Sequence, residues 1–226
     1  MTQCQQNQLF CPVCKSAQVR LMATDPQVAL KHREYWQCSE CALVFVAPQF
    51  LLDKAKEKAI YELHENSPED EGYRHFLRPA LAVVKRHLPP RAVGLDFGSG
   101  PGPTLSLMLQ EAGFACDIFD PFFAPHSEVW QKQYDFITST EVFEHLERPT
   151  EVMGALLNTL KSNGYLIVMT TLWRQQRNFL DWSYKNDPTH IVFYREETFQ
   201  WLAKHFSLAL ESIQGNVVVM RKTSES

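Results

Sequence analysis

The sequence predicts an α/β fold: a mostly parallel, doubly wound sheet closed by an antiparallel hairpin and preceded by a small cysteine-bearing module. Three observations carry this. From Arg91 onward, apolar strand-length runs alternate with amphipathic helical ones. A glycine-rich turn, Gly98-Ser99-Gly100-Pro101-Gly102, directly follows the first of those runs. Two Cys-x-x-Cys pairs stand near the start, outside the alternating pattern.

The chain has 226 residues, 45% of them hydrophobic, enough for one substantial core and a small satellite module. A net charge of -4, from 22 basic and 26 acidic residues, provides no global field for a polyanion, which disfavours nucleic acid as a partner. No apolar run reaches the roughly 18 residues that span a bilayer. The polar start "MTQCQQNQ" lacks the basic and apolar regions of a secretory signal. A cytoplasmic protein is the expectation, with no membrane partner.

Cys11 and Cys14 form one pair, Cys38 and Cys41 the other, with 23 residues between the pairs. Two tight knuckles could close a tetrahedral thiolate cage around a hairpin, for which "QVRLMA" and "REYWQC" supply the strands. A unit of this size is too small to be held by its core alone, so a structural zinc is physically motivated. A rubredoxin-like iron site and redox thiols are the alternatives. The module, residues 1–48, resembles a zinc ribbon. Cys4 and Cys116 stand outside the pattern and read as ordinary free cysteines.

Residues 49–90 read as a helical bridge. "LLDKAKEKAIYELHEN" predicts one helix, and a second begins with Ser67 as N-cap, Pro68 in the first turn and acids at 69–71. These helices pack on the core or form a lid, in which case Tyr61, His64 and Tyr73 belong to it.

In residues 91–226, "AVGLDF" is a buried strand and "PTLSLMLQEAG" a helix with Pro103 in its first turn and Gly113 as terminator. "FACDIFD" and "YDFITST" are strands, and "TEVMGALLNTLKSNG" is a helix ending at Gly164 before the strand "YLIVMTT". The helix "REETFQWLAKHF" precedes the closing hairpin of "SLALESI" and "NVVVMRK".

In such a sheet, ligands bind beyond the carboxyl ends of the strands at the switch point, where "DFGSGPGP" falls. A dinucleotide site would want free helix N–H groups for pyrophosphate. Here the helix opens on Pro103, which has no N–H, and Asp96 would repel a phosphate but favour an ammonium or sulfonium. The spacing of Asp96, Gly98, Gly100 and Gly102, and the later "YDFITSTEVFEHLERP" and "LKSNGYLIVMTT", resemble the class I S-adenosylmethionine-dependent methyltransferases, in the branch of the ubiquinone-biosynthesis O-methyltransferases. The resemblance implies a Rossmann-like methyltransferase sheet. It also implies that Asp96, Phe97, Gly98, Ser99, Gly100 and Gly102 hold the methionine end of the cofactor. Asp120, 24 residues after Asp96, would take the ribose hydroxyls, with Pro121, Phe122 or Phe123 near the adenine and Thr140 facing the transfer site. One departure stands out. Only 14 residues separate Asp120 from Asp135, too few for the family's helix and third strand, so the third-strand region should be shortened or absent.

Methyl transfer needs an aligned acceptor, and a base where that acceptor is a poor nucleophile. "FLDWSYKNDPTHIVFY" follows a strand and is dense in polar and aromatic groups. His190 is the first candidate base, with Tyr184, Asp187 and Glu141 beside it; alternatively, His190 only pins the loop by hydrogen bonds. Glu141, Glu144 and His145 resemble a magnesium site proposed in the ubiquinone branch, feasible only near a helix start. A small-molecule acceptor is favoured over RNA or protein docked by the ribbon, and over a non-catalytic cofactor-binding role.

Overall fold

The computed structural model describes residues 8–63, 66–175 and 178–224. The front of the chain forms strands β1 (Val19–Thr24), β2 (Glu34–Cys38) and β3 (Val44–Val46). The bridge forms helices α1 (Lys54–Tyr61) and α2 (Glu71–His87). Then come β4 (Val93–Phe97), α3 (Thr104–Glu111), β5 (Ala115–Phe119), β6 (Tyr134–Thr140), α4 (Pro149–Thr159) and β7 (Leu160–Met169). The chain closes with β8 (Val192–Phe193), α5 (Glu196–His205), β9 (Leu208–Gln214) and β10 (Val217–Lys222).

The larger sheet has the order β5-β4-β6-β7-β10-β9. Strands β5, β4, β6 and β7 are parallel, whereas β10 is antiparallel to both β7 and β9, as the closing hairpin requires. The chain moves outward from β4 to β5 and then returns across β4 to β6, so the switch point lies at the carboxyl ends of β4 and β6. Among the described residues, no strand lies between β5 and β6 in the chain. That stretch holds only an Asp120–Ala124 bridge and a 3-10 turn at Ser127–Gln131. Trp130 of the turn packs edge-on against Phe119 at 4.9 Å and against Phe97 at 6.2 Å, covering apolar surface near the β5 edge.

The smaller sheet, β1-β2-β3-β8, is antiparallel throughout and draws its fourth strand from residues 192–193. Its inner face joins the main core: Tyr35 meets Phe179 at 4.9 Å and Phe193 at 5.9 Å, and Leu43, Val44 and Phe45 are fully or nearly fully buried in the same cluster.

Three local boundaries differ from the sequence expectation. Asp70, not Ser67, caps α2: its carboxylate accepts from Gly72 and Tyr73 N–H, and a charged acceptor outcompetes the hydroxyl, which turns back onto the Glu69 N–H. Pro103 stands at the N-cap of α3 rather than in its first turn. Helix α4 stops at Thr159 instead of Gly164, because Leu160 already pairs with Tyr134; Asn163, at φ +62°, and Gly164 fall where the β6–β7 register shifts. Among the described residues, no helix is long and apolar enough to cross a membrane.

Candidate active site and cysteine cluster

A cavity of about 990 Å³ opens at the switch point. The glycine turn, α1 and the stretch before α2, the 121–123 loop, residues 140–148 and the 187–190 loop all contribute to its wall. Among the expected cofactor residues, Asp96, Gly98, Ser99, Gly100, Gly102, Pro121, Phe122 and Thr140 line it; Phe97 and Asp120 do not. Tyr61 and Tyr73 also line it, while His64 falls outside the described residues.

The turn needs its glycines for two separate reasons. Gly98 has φ +78°, a left-handed conformation that costs a side-chain-bearing residue strain. At Gly102 a Cβ would meet the Asn66 carbonyl oxygen at 2.0 Å, so the stretch ahead of α2 lies directly on the turn. Thr104 fastens it there, its hydroxyl donating to the same oxygen at 3.0 Å.

Asp96, the next-to-last residue of β4, is 3% exposed; Thr138 Oγ1 donates to its Oδ1 at 2.9 Å. Burial pushes its carboxyl up to about 7, with a further contribution from the nearby Asp120 charge. Asp120 is occupied by backbone: Oδ2 accepts from Gly100 N–H at 3.0 Å, and Oδ1 accepts from Phe122 and Phe123 N–H at 2.8 and 3.1 Å. It therefore shapes the glycine turn and the 121–123 loop, and keeps acceptor capacity on Oδ2.

Across the cavity, residues 143–145 form a short 3-10 turn rather than the start of a long helix. Glu141 precedes it at φ +52°, a strained conformation, and burial, then the Glu144 charge, pushes its carboxyl up to about 9. Tyr184 does not line the cavity; its hydroxyl lies 3.0 Å from Glu141 Oε2 and 2.5 Å from Glu144 Oε1. Thr170 donates to the other Glu144 oxygen at 2.9 Å.

His190 and Asp187 line the cavity beside His145. His190 Nδ1 lies 2.6 Å from the Tyr184 carbonyl and His145 Nδ1 lies 3.0 Å from the Thr189 carbonyl. A carbonyl can only accept, so each Nδ1 carries a proton, and a ring in its neutral form has its lone pair on Nε2. Burial holds the His190 imidazole below its ordinary range, which favours that neutral form. Both Nε2 atoms face Glu144 Oε1, at 3.9 and 4.0 Å. The structure thus groups Glu144, His145 and His190, all within 4.8 Å, while Glu141 stands outside that trio and shares the Tyr184 hydroxyl with Glu144. Such a donor set could accept protons or hold a divalent cation.

The four cysteines of the two pairs also converge. Cys11 Sγ is 3.5 Å from Cys41 Sγ and Cys14 Sγ is 3.4 Å from Cys38 Sγ, with all four within 4.8 Å. Disulfide sulfurs would stand at about 2 Å, whereas thiolates on a tetrahedral zinc stand about 3.8 Å apart. Lys15 and Ala42, each directly after the second cysteine of its pair, have φ +59° and +60°, so the two knuckles repeat one turn. Ser99 and Glu141, both expected at the site from the sequence, each bring to the cavity wall a buried oxygen, Oγ and Oε1, that lacks a hydrogen-bond partner among the described residues.

A family model for the methyltransferase domain matches residues 69–213. The ubiquinone biosynthesis O-methyltransferase of Photobacterium profundum is 30% identical over 87 residues, 38% of this chain and 37% of that protein. Its counterpart from Shewanella pealeana is 28% identical over 101 residues, 45% and 42% respectively. The matched stretch thus spans less than half of either relative. The 1,6-didemethyltoxoflavin-N1-methyltransferase of Burkholderia thailandensis, solved with 1,6-didemethyltoxoflavin and S-adenosylhomocysteine, superposes at TM-score 0.53 with 16% identity, over 91% of this chain and 100% of that one. An O-methyltransferase family protein from the same organism gives TM-score 0.54 at 12% identity, over 75% and 64%. At these identities the likeness concerns the fold.

Proposed function

The chain belongs to the methyltransferase domain family, and from that premise we propose that it transfers a methyl group from S-adenosylmethionine to a small-molecule acceptor. One observation carries the reading: the switch-point cavity is walled by a buried Asp96 carboxylate, the glycine turn, and two residues whose buried oxygens lack partners among the described residues, Ser99 and Glu141. A ligand that brings an ammonium and hydrogen-bond donors would complete such a wall.

Asp96 and the Gly98–Gly102 turn would hold the methionine end, Pro121 and Phe122 would flank the adenine, and Asp120 would offer Oδ2 to the ribose. The bound cofactor supplies an electrophilic methyl group. On the opposite side, His190 Nε2 is a lone pair available to take a proton from an acceptor O–H or N–H. Asp187 Oδ2, 3.9 Å from His190 Nε2, would stabilise the imidazolium that results. Tyr184 orders the Glu141–Glu144 pair without touching the cavity. Among the described residues, the lysine and the arginine on the wall are already paired, Lys54 with Glu57 and Glu147 and Arg148 with Glu151. Cations already engaged in this way support an acceptor without phosphate groups. Helix α1 and the start of α2, with Tyr61 and Tyr73, would act as the cover over both substrates, and Cys11, Cys14, Cys38 and Cys41 would hold a structural zinc.

The test pairs S-adenosylhomocysteine calorimetry with transfer of labelled methyl groups from S-adenosylmethionine into a fractionated metabolite extract. Micromolar binding and a labelled small product are expected. No binding, or label confined to RNA or protein, overturns the reading.

A further inference from the structure

Among the described residues, none that walls the cavity comes from residues 8–48. The front module nevertheless grips, from behind, the loop that carries His190 and Asp187. Arg33, 2% exposed, directs its guanidinium at three carbonyls of that loop: Nη1 to Asp187 O at 3.4 Å and His190 O at 3.2 Å, and Nη2 to Pro188 O. Beside it, the fully buried Lys185 and Asp25 pair at 2.6 Å, and Gln27 Nε2 donates to Asn186 Oδ1 at 3.1 Å. One residue further on, Val46 N–H donates to Ile191 O at 2.8 Å, where β3 meets β8.

Contact between two modules is ordinary; the geometry of this one is specific. Three carbonyls within four residues point to one side, and buried carbonyls require donors. His190 N–H donates back to the Asp187 carbonyl at 3.2 Å, but a loop containing Pro188 cannot satisfy all three with a helical or strand ladder. The planar guanidinium, with five donors in a fixed fork, can. With the carbonyls held on that side, the other side of the loop turns Asp187 and His190 into the cavity, and the Thr189 carbonyl reaches His145 Nδ1.

We infer that Arg33, supported by the Asp25–Lys185 pair, is a positioning residue of the front module that sets the 183–191 loop, and through it the His145 and His190 rings, against the acceptor side of the cavity. The inference rests on the methyl-transfer reading for the meaning of "acceptor side", but its geometry does not. The cofactor side, built from β4, the glycine turn and the 121–123 loop, has no part in the clamp. The front module thus governs one half of the site and leaves the other alone.

The experiment uses the full chain in three forms: wild type, Arg33→Met and Arg33→Lys. Hydrogen exchange is followed by mass spectrometry, the imidazole Nδ1–H signals of His145 and His190 by NMR with labelled histidine, and S-adenosylhomocysteine affinity by calorimetry. In Arg33→Met, exchange across 183–191 should rise at least tenfold and both ring N–H signals should be lost, while affinity stays within twofold of wild type. Arg33→Lys, which keeps the charge but not the fork, should recover part of the protection. Unchanged exchange in 183–191 overturns the inference. So does a uniform rise across the whole chain with loss of affinity, the signature of an arginine needed only for folding.

If Arg33→Met does not fold, native-state exchange of the wild type in increasing urea decides the matter. The amides of 189–191 should open together with those of β1 and β2; opening with β6 and β7 instead overturns the inference. Failure of wild-type S-adenosylhomocysteine binding would remove the methyl-transfer reading and leave the exchange results standing.

Discussion

The Tyr184 hydroxyl stands 2.5 Å from Glu144 Oε1 while remaining within 3.0 Å of Glu141 Oε2, so one phenolic hydroxyl bridges two carboxyl groups. Removing it leaves Glu144 Oε1 buried without that donor. Tyr184→Phe is therefore expected to lower unfolding free energy by about 1–3 kcal/mol, read from urea denaturation. A change below the error of the measurement would mean that the hydroxyl contributes nothing to holding the pair.

Glu141 carries a pH signature. With its carboxyl pushed up to about 9, the folded chain retains a proton that the unfolded chain releases near its ordinary value of 4.5. The folded state then binds more protons across that interval, and stability falls as pH rises from about 5 to 9. Glu141→Gln, which mimics the protonated form, should flatten that fall. Equal slopes for variant and wild type in denaturation at pH 5, 7 and 9 would contradict it.

Asp96 gives the opposite sign for ligand affinity. Its carboxyl titrates near 7 in the unliganded chain, so it gains the charge that favours an ammonium only as pH rises past that point. Affinity for S-adenosylhomocysteine should increase by about tenfold between pH 6 and 8. Asp96→Asn should abolish that dependence and weaken binding, while its melting temperature at pH 8 stays level or rises, because an ionised buried carboxyl is a cost. A pH-independent affinity in the wild type would remove Asp96 as the ammonium partner.

The strand and helix order of the main sheet could be read from periodicity alone, and the short gap between Asp120 and Asp135 foretold the missing strand. The two knuckles were equally plain, since their signal is spacing. What escaped was nonlocal. Strand β8 is two residues long, and nothing in "VF" marks it as a partner for β3. Arg33 and the carbonyls it meets are more than 150 residues apart, with no local pattern joining them. Gly164 resembles a helix terminator in the sequence, whereas pairing of Leu160 with Tyr134 ends α4 sooner.

Gly102 offers a steric test. Gly102→Ala drives a methyl into the Asn66 carbonyl, and backbone on both sides must shift. A stability loss of about 1–3 kcal/mol, together with weakened S-adenosylhomocysteine binding, is expected. Gly113→Ala, which meets nothing within 4 Å but sits at φ +88°, should cost stability without touching affinity. Identical binding by both variants would detach Asn66 from the site.

For the cysteine cluster, elemental analysis of the purified chain should find one zinc per molecule, and Cys38→Ser should lose it with a lowered melting temperature. Iron in its place, or four freely titratable thiols in the native chain, would point to the rubredoxin-like or redox alternative.

The smaller sheet has one further consequence, for synthesis. Strands β1 to β3 leave the ribosome early, yet β3 waits for Val192 and Phe193 to occupy its open edge. Until those two residues have been made, that edge offers unpaired N–H and C=O groups beside Val44 and Phe45. Throughout that interval the nascent chain carries an exposed template for wrong pairing, and a sheet begun by β1 to β3 is finished only by a strand more than 140 residues further along.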